Sequence, residues 1–182
     1  MSDSLFEEIQ MHRRHLHQHP ELSFEEYHTA DFIEEKLRKI GIENIQRIAK
    51  TGVTFLLEGS RPGKNIALRA DIDALPILEK NQIDYKSKHE GIMHACGHDV
   101  HTSCLLGVAK ILYQLKSEFK GSVKFIFQPG EEKTPGGASL LIKEGILEDP
   151  IPETILGQHV MPFIEVGKVG FRPGKYMASS DE

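Results

Sequence analysis

Within Met93-His94-Ala95-Cys96-Gly97-His98-Asp99-Val100-His101 the chain sets a thiol, three imidazoles and a carboxylate into nine residues. Thiolate and imidazole are the ligands that zinc and similar borderline-soft divalent metals select. Cys96 and His98 are two apart and cannot share a helix face, but an irregular loop can aim both inward, with Gly97 allowing a tight bend between them. A second cluster, Gln128-Pro129-Gly130-Glu131-Glu132, closes an apolar run with adjacent carboxylates. At a strand's end such neighbours point apart. One can then bind a metal while the other takes the proton from water that the metal has acidified. In Arg69-Ala70-Asp71-Ile72-Asp73 the alternation of a strand end puts Asp71 and Asp73 on one side, as ligands or as acceptors that orient a ligating histidine. Together these residues point to a metal-dependent hydrolase. The rival active chemistry, a cysteine nucleophile with a histidine base, leaves the paired glutamates and the aspartates without a task.

Other residues of the same types read more plainly. Glu7-Glu8, Glu25-Glu26 and Glu34-Glu35 fall on helical stretches as solvated charge. His15, His17 and His19 spread around a helix and suit surface or packing roles. Cys104 lies in the apolar stripe of a helix as an inert core thiol. His94 and His101 flank the Cys96–His98 pair, and His94 is taken as a supporting residue.

The elements that must position this chemistry follow from hydrophobic periodicity. A helix is expected over Ser4 to His17. A second is expected from Ser23, capped by Ser23 with Glu26 completing a capping box, its stripe at Ala30, Phe32, Ile33 and Leu37, and Gly41 ending it. Strands are expected at Val53 to Leu57 and Ile66 to Ala70, separated by the turn Gly59-Ser60-Arg61-Pro62-Gly63. A helix over Val100 to Leu115, a strand over Ser122 to Phe127, a short helix over Gly136 to Glu144 and a strand over Thr154 to Gln158 complete the pass. This alternation argues for an α/β sheet with crossover helices. In such sheets ligands bind beyond the carboxyl ends of the strands. Asp71 and Asp73, Glu131 and Glu132, and His159 each follow a different strand there.

The net charge of -5 and pI of about 6.1 provide no basic footprint for nucleic acid. The start MSDSLFEEIQ is polar, unlike a signal peptide, and no apolar run has the length of a membrane span. With two cysteines and no export signal, a reducing cytoplasm is the expected compartment. The 182 residues suffice for one domain.

These motifs resemble the zinc amidohydrolase family of aminoacylases and carboxypeptidases, in particular the branch of N-acyl-amino-acid, hippurate and indole-acetyl-amino-acid hydrolases. The resemblance runs through His15 to Glu21, Arg69 to Pro76, Met93 to Thr102, Phe127 to Glu132, Gly157 to His159 and Val169 to Ser179. It implies a three-layer α/β/α catalytic domain on a mostly parallel, mixed sheet. It also implies a centre of two divalent ions (Zn, Mn or Co) acting on N-acyl amino acids or short peptides. Cys96 would bridge the metals, His98 and His159 would complete the protein ligands of one, and Glu132 would bind the other. Glu131 would be the general base, with Asp71 and Asp73 supporting. Relatives of this kind are longer and homodimeric. Their lid and dimerisation domain is inserted after a sequence like Met177 to Glu182, and a later histidine completes the second metal site. The chain, residues 1–182, is therefore expected to be the amino-terminal part of the catalytic domain, holding one metal or none alone. A metal-binding remnant without turnover is the alternative. Lys133-Thr134-Pro135 stands where relatives carry a glycine-rich run and would stiffen the turn after the base.

Overall fold

The structure, a computed structural model, describes residues 2–175. The Met177 to Glu182 stretch, where the resemblance puts the lid's threshold, lies outside the described residues. Helices α1 (Ser2–Gln18) and α2 (Tyr27–Ile40) precede strands β1 (Gln46–Ile48), β2 (Gly52–Glu58) and β3 (Asn65–Asp71). Then come α3 (His98–Gln114), β4 (Ser122–Gln128), α4 (Gly137–Lys143) and β5 (Thr154–Gly157).

The strands form one sheet in the order β1-β2-β4-β3-β5. It is mixed: β3 pairs in parallel with β4 and β5, whereas β2 pairs antiparallel with β1 and β4. Alternate side chains of β2 and β4 (Val53, Phe55, Leu57; Val123, Phe125, Phe127) bury one face against Ala30, Ile33 and Leu37 of α2 and Leu105, Leu106 and Ala109 of α3. On the opposite face Ala67 and Ile126 pack with Leu141 of α4 and Ile146. Helices thus cover both faces, the three-layer arrangement expected.

The route of the chain explains where a site can form. From β3 the chain passes through α3 to β4 on one side of β3, then through α4 to β5 on its other side. With right-handed crossovers, reversing direction puts the two helices on opposite faces. It also opens a crevice at the carboxyl ends of the parallel strands.

One local expectation needs correction. Ser23 does not cap α2. Its hydroxyl donates to Asp73 Oδ2 at 2.6 Å, and Glu26, the residue before the helix, turns inward without a capping bond. The orphan amides of His28 and Thr29 are instead received by the Glu21 carboxylate at 3.1 and 2.7 Å. The Gly59–Gly63 turn separates β2 from β3 as expected, and the two strands do not pair, because β4 lies between them. The turn bonds to the α3–β4 connection through Gly59 N–H to Gly121 and Ser60 N–H to Phe119.

Candidate metal centre

The long connection from β3 to α3 carries Asp73, His94 and Cys96 without regular structure, and a buried acid anchors it. Glu79 accepts from the Ser87 amide at 2.7 Å and lies 3.1 Å from His17 Nε2. His98, expected in the loop ahead of α3, is the first residue of the helix, after Gly97 with φ of 91°. A Cβ at Gly97 would stand 2.4 Å from Val160 Cγ2, so glycine serves both the left-handed turn and the close approach of the His159 segment. Gly130 repeats the device before the glutamates, with φ of 56° and the Phe24 ring 2.3 Å from where a Cβ would be.

The residues singled out in the sequence converge at the carboxyl ends of β3, β4 and β5. The groups Cys96–His98–His159, Asp71–His98–His101 and His98–Glu131–Glu132 each hold their ligand atoms within 4.8 Å of one another, and His98 belongs to all three. His98 Nδ1 bonds the Asp73 carbonyl at 2.9 Å and lies 3.2 Å from Asp73 Oδ1. Its Nε2 is buried without a hydrogen-bond partner. Around that nitrogen stand Asp71 Oδ2 at 3.6 Å, Glu132 Oε1 at 3.8 Å and Glu131 Oε2 at 4.0 Å. These separations are too long for hydrogen bonds and suit atoms grouped around a shared cation. Cys96 Sγ and His159 Nε2 are 3.3 Å apart, and His159 Nδ1 donates to the Val160 carbonyl at 2.7 Å, leaving Nε2 as the acceptor. An imidazole that gives one N–H to a carbonyl or carboxylate and turns its other nitrogen inward has the form of a metal ligand. The residues therefore fit a divalent ion.

Charge supports the same conclusion. Burial opposes an imidazolium at His98, yet Asp73, Cys96 and Asp71 outweigh it and raise its pKa to about 11. Burial also acts against the Asp71 carboxylate, but His101, His98 and Arg69 hold its pKa down at about 2. Burial and then the neighbouring Glu132 push the Glu131 carboxyl above its ordinary pKa. The contact with His98 pulls the Cys96 thiol down, but burial and Glu132 together leave it raised, so ion binding would have to displace its proton. Such a surplus of negative charge around a buried nitrogen without a hydrogen-bond partner is what a dication neutralises.

Asp73 ties the segments together, its Oδ2 receiving the Glu132 amide at 3.0 Å as well as Ser23. Asp71 has Arg69 on one carboxylate oxygen and His101 on the other, at 2.9 and 2.6 Å. His94 is buried with neither ring nitrogen paired, and burial lowers its pKa to about 4. Its charged neighbours are Asp99, His98, His17 and Asp73. Cys104 is half-buried and lines a cavity of about 340 Å³ beside His101 and β5, its thiol pushed up by burial. His17, expected at a surface or in packing, is buried between Asp99 and Glu79. Two further supports, Glu26 and His101, act through partners distant in the chain. Glu26, fully buried, receives the Gly130 amide at 2.8 Å and the Thr51 hydroxyl at 2.5 Å, and so grips the turn that carries Glu131. Their contacts span 25 to 104 residues of chain, beyond any local pattern.

Known proteins bear on this arrangement. The profile of Peptidase family M20/M25/M40 matches residues 67–180, more than half of the chain. The chain is 46% identical over 169 residues to an N-acyl-L-amino acid amidohydrolase of Geobacillus stearothermophilus, a match covering 93% of this chain and 45% of that protein. It is 48% identical over 169 residues to an N-acetyl-L-cysteine deacetylase of Bacillus subtilis (strain 168), covering 93% and 40%. Among solved structures, the Bacillus subtilis YXEP protein, described as a dinuclear metal binding peptidase from the M20 family, superposes with a TM-score of 0.89 at 42% identity over 94% of this chain and 48% of that one. The chain thus spans about half the length of the relatives it matches. The family resemblance read from the Met93 and Gln128 segments is borne out: the chain belongs to peptidase family M20/M25/M40.

Proposed function

We propose that the protein hydrolyses the amide bond of N-acyl amino acids with metal-activated water, and that Glu131 is the general base. The observation that carries this reading is the orphaned, buried Nε2 of His98, ringed by Asp71, Glu131 and Glu132 at 3.6 to 4.0 Å. The names of the relatives, an amidohydrolase and a deacetylase, support the substrate class.

Cys96, His98, Glu132 and His159 would hold the metal. In a protein of the relatives' length the centre would hold two ions, and in this chain alone one, at Cys96, His98 and His159. When bound there, divalent ions would supply an acidified water and polarisation of the acyl carbonyl. Glu131, with its raised pKa and its carboxylate 4.0 Å from His98 Nε2, takes the proton from the water and later gives it to the leaving amine. Asp73 fixes the ring of His98 and the backbone of Glu132, so that ligand and base hold their separation while the proton moves. Asp71, engaged by Arg69 and His101, supports rather than ligates. Among the described residues no helix is long and apolar enough to cross a membrane.

The test pairs elemental analysis of bound metal with hydrolysis of N-acetyl and N-benzoyl amino acids. Glu131→Gln is expected to retain the metal and to lower turnover by about 10² to 10⁴-fold. Turnover unchanged in that variant would remove Glu131 as the base. Metal without turnover in the unaltered protein would favour the metal-binding remnant.

A further inference from the structure

His101 belongs to none of the ligand roles assigned above, yet its ring is 1% exposed and both its nitrogens make directional contacts. Nε2 accepts the Val160 N–H at 3.0 Å, and Nδ1 lies 2.6 Å from Asp71 Oδ1. Only an unprotonated nitrogen can receive an N–H, so Nε2 carries the lone pair and Nδ1 donates to Asp71. Neither nitrogen remains for an ion, although the ring lies in a potential ligand group with Asp71 and His98. One turn away on the same helix, His98 is the opposite case, with its Nε2 unpaired.

The contacts continue in both directions. Asp71 is held by Arg69 Nη1 at 2.9 Å, and its carbonyl by the Thr102 hydroxyl at 3.0 Å. Beyond Val160, the carbonyl of that residue receives His159 Nδ1 at 2.7 Å, and His159 Nε2 faces Cys96 Sγ at 3.3 Å. His159 itself lies on an exposed, irregular segment after an exposed edge strand. Such a segment would give up conformational freedom on binding if it became ordered only when an ion bound.

We propose that His101 is the positioning residue for His159: it ties the Val160 backbone to the end of β3, so that His159 Nε2 stands beside Cys96 before an ion arrives. The proposal rests on the reading of His159 as a ligand. Removing the tether lowers metal affinity by about 10 to 100-fold, the range for groups that orient a ligand.

The test uses the full 182-residue chain and the variants His101→Gln, His101→Asn and His101→Ala, with Co²⁺ as the probe. A glutamine carbonyl reaches the position of Nε2 and can accept the Val160 amide, whereas an asparagine side chain stops near the position of Nδ1. The metal-free readout is hydrogen exchange of the Val160 amide by NMR. The metal readout is Co²⁺ affinity from the thiolate-to-cobalt absorption of Cys96. The Val160 amide is expected to be protected in the unaltered chain and in the Gln variant, and to exchange freely in the Asn and Ala variants. Co²⁺ affinity should follow the same order. Equal protection in all four proteins, or full Co²⁺ affinity in an Asn variant whose Val160 amide exchanges freely, would overturn the proposal. If His159→Ala binds Co²⁺ as tightly as the unaltered chain, the ligand reading fails instead, and the exchange pattern still decides whether the tether exists. Should the Ala variant not fold, the contrast between Gln and Asn carries the test.

Discussion

Two clusters of acids and imidazoles meet at the first turn of α3, and they differ in how their charge is balanced. Behind the helix, Asp99 and Glu79 are bridged by His17 at 2.8 and 3.1 Å, and Arg13 Nε adds a bond to Asp99 at 2.9 Å. Burial works against charge on His17, but Asp99 and Glu79 raise its pKa above the ordinary value, so two carboxylates face two cations. At the carboxyl ends of the parallel strands, Asp71, Asp73, Glu131, Glu132 and the Cys96 thiol face Arg69 and the unpaired nitrogen of His98. The first cluster is neutralised by its own side chains and cross-links α1, α3 and the long connection. The second keeps a surplus that an external cation would meet. Composition alone does not separate a structural network from a metal centre; the partner of each nitrogen does.

The comparison can be broken first at His17. His17→Leu would leave Asp99 and Glu79 buried without their shared partner. The expected loss is about 3 kcal/mol of stability, read by urea denaturation, with Zn²⁺ affinity of the folded protein little changed. A large loss of affinity at full stability would show the two clusters to be one. His17 also predicts a pH trend. Because its pKa is raised in the fold, its contribution is complete below its unfolded value of 6.5 and fades as pH rises through the folded value.

His94, buried at the margin of both clusters, predicts the opposite trend. Its pKa is about 4 in the fold against 6.5 unfolded, so between those values the unfolded chain binds the proton and the fold does not. Stability of the metal-free chain should therefore be full above pH 6.5 and fall by about 3 kcal/mol as pH drops towards 4. In His94→Leu that slope should flatten. An identical slope in both proteins would assign the acid sensitivity elsewhere.

The smallest effect is expected at the hinge between the clusters. Gly97→Ala forces a side chain into a backbone with φ of 91° and against Val160. A cost of about 1–2 kcal/mol is expected, together with weaker metal binding because Val160 and His159 are pushed back. Unchanged affinity at reduced stability would separate the turn's strain from ligand placement.

The alternation of helices and strands was legible because each buried stripe repeats at its own period, as in Ala30, Ile33 and Leu37 or in Val123, Phe125 and Phe127. The cluster at the strand ends was legible because ligand types sit directly after those strands. What escaped depends on partners far away in the chain. Ser23 and Glu26 have the spacing of a capping box, but Asp73, Thr51 and the Gly130 amide take up their polar groups instead. β1 is three residues long with no apolar run, and its pairing with β2 defines it. His17 and His101 look like neighbours in histidine-rich segments, and only Asp99, Glu79 and the Val160 amide distinguish them from His98.

The central claim is that the unpaired nitrogen of His98 and the thiol of Cys96 serve a metal. The most direct measurement is elemental analysis of the 182-residue chain after loading with Zn²⁺ and dialysis, beside His98→Ala and His17→Leu. One zinc retained by the unaltered chain and by His17→Leu, with none in His98→Ala, is the predicted result. No zinc in the unaltered chain, or the same zinc content in His98→Ala, would contradict it.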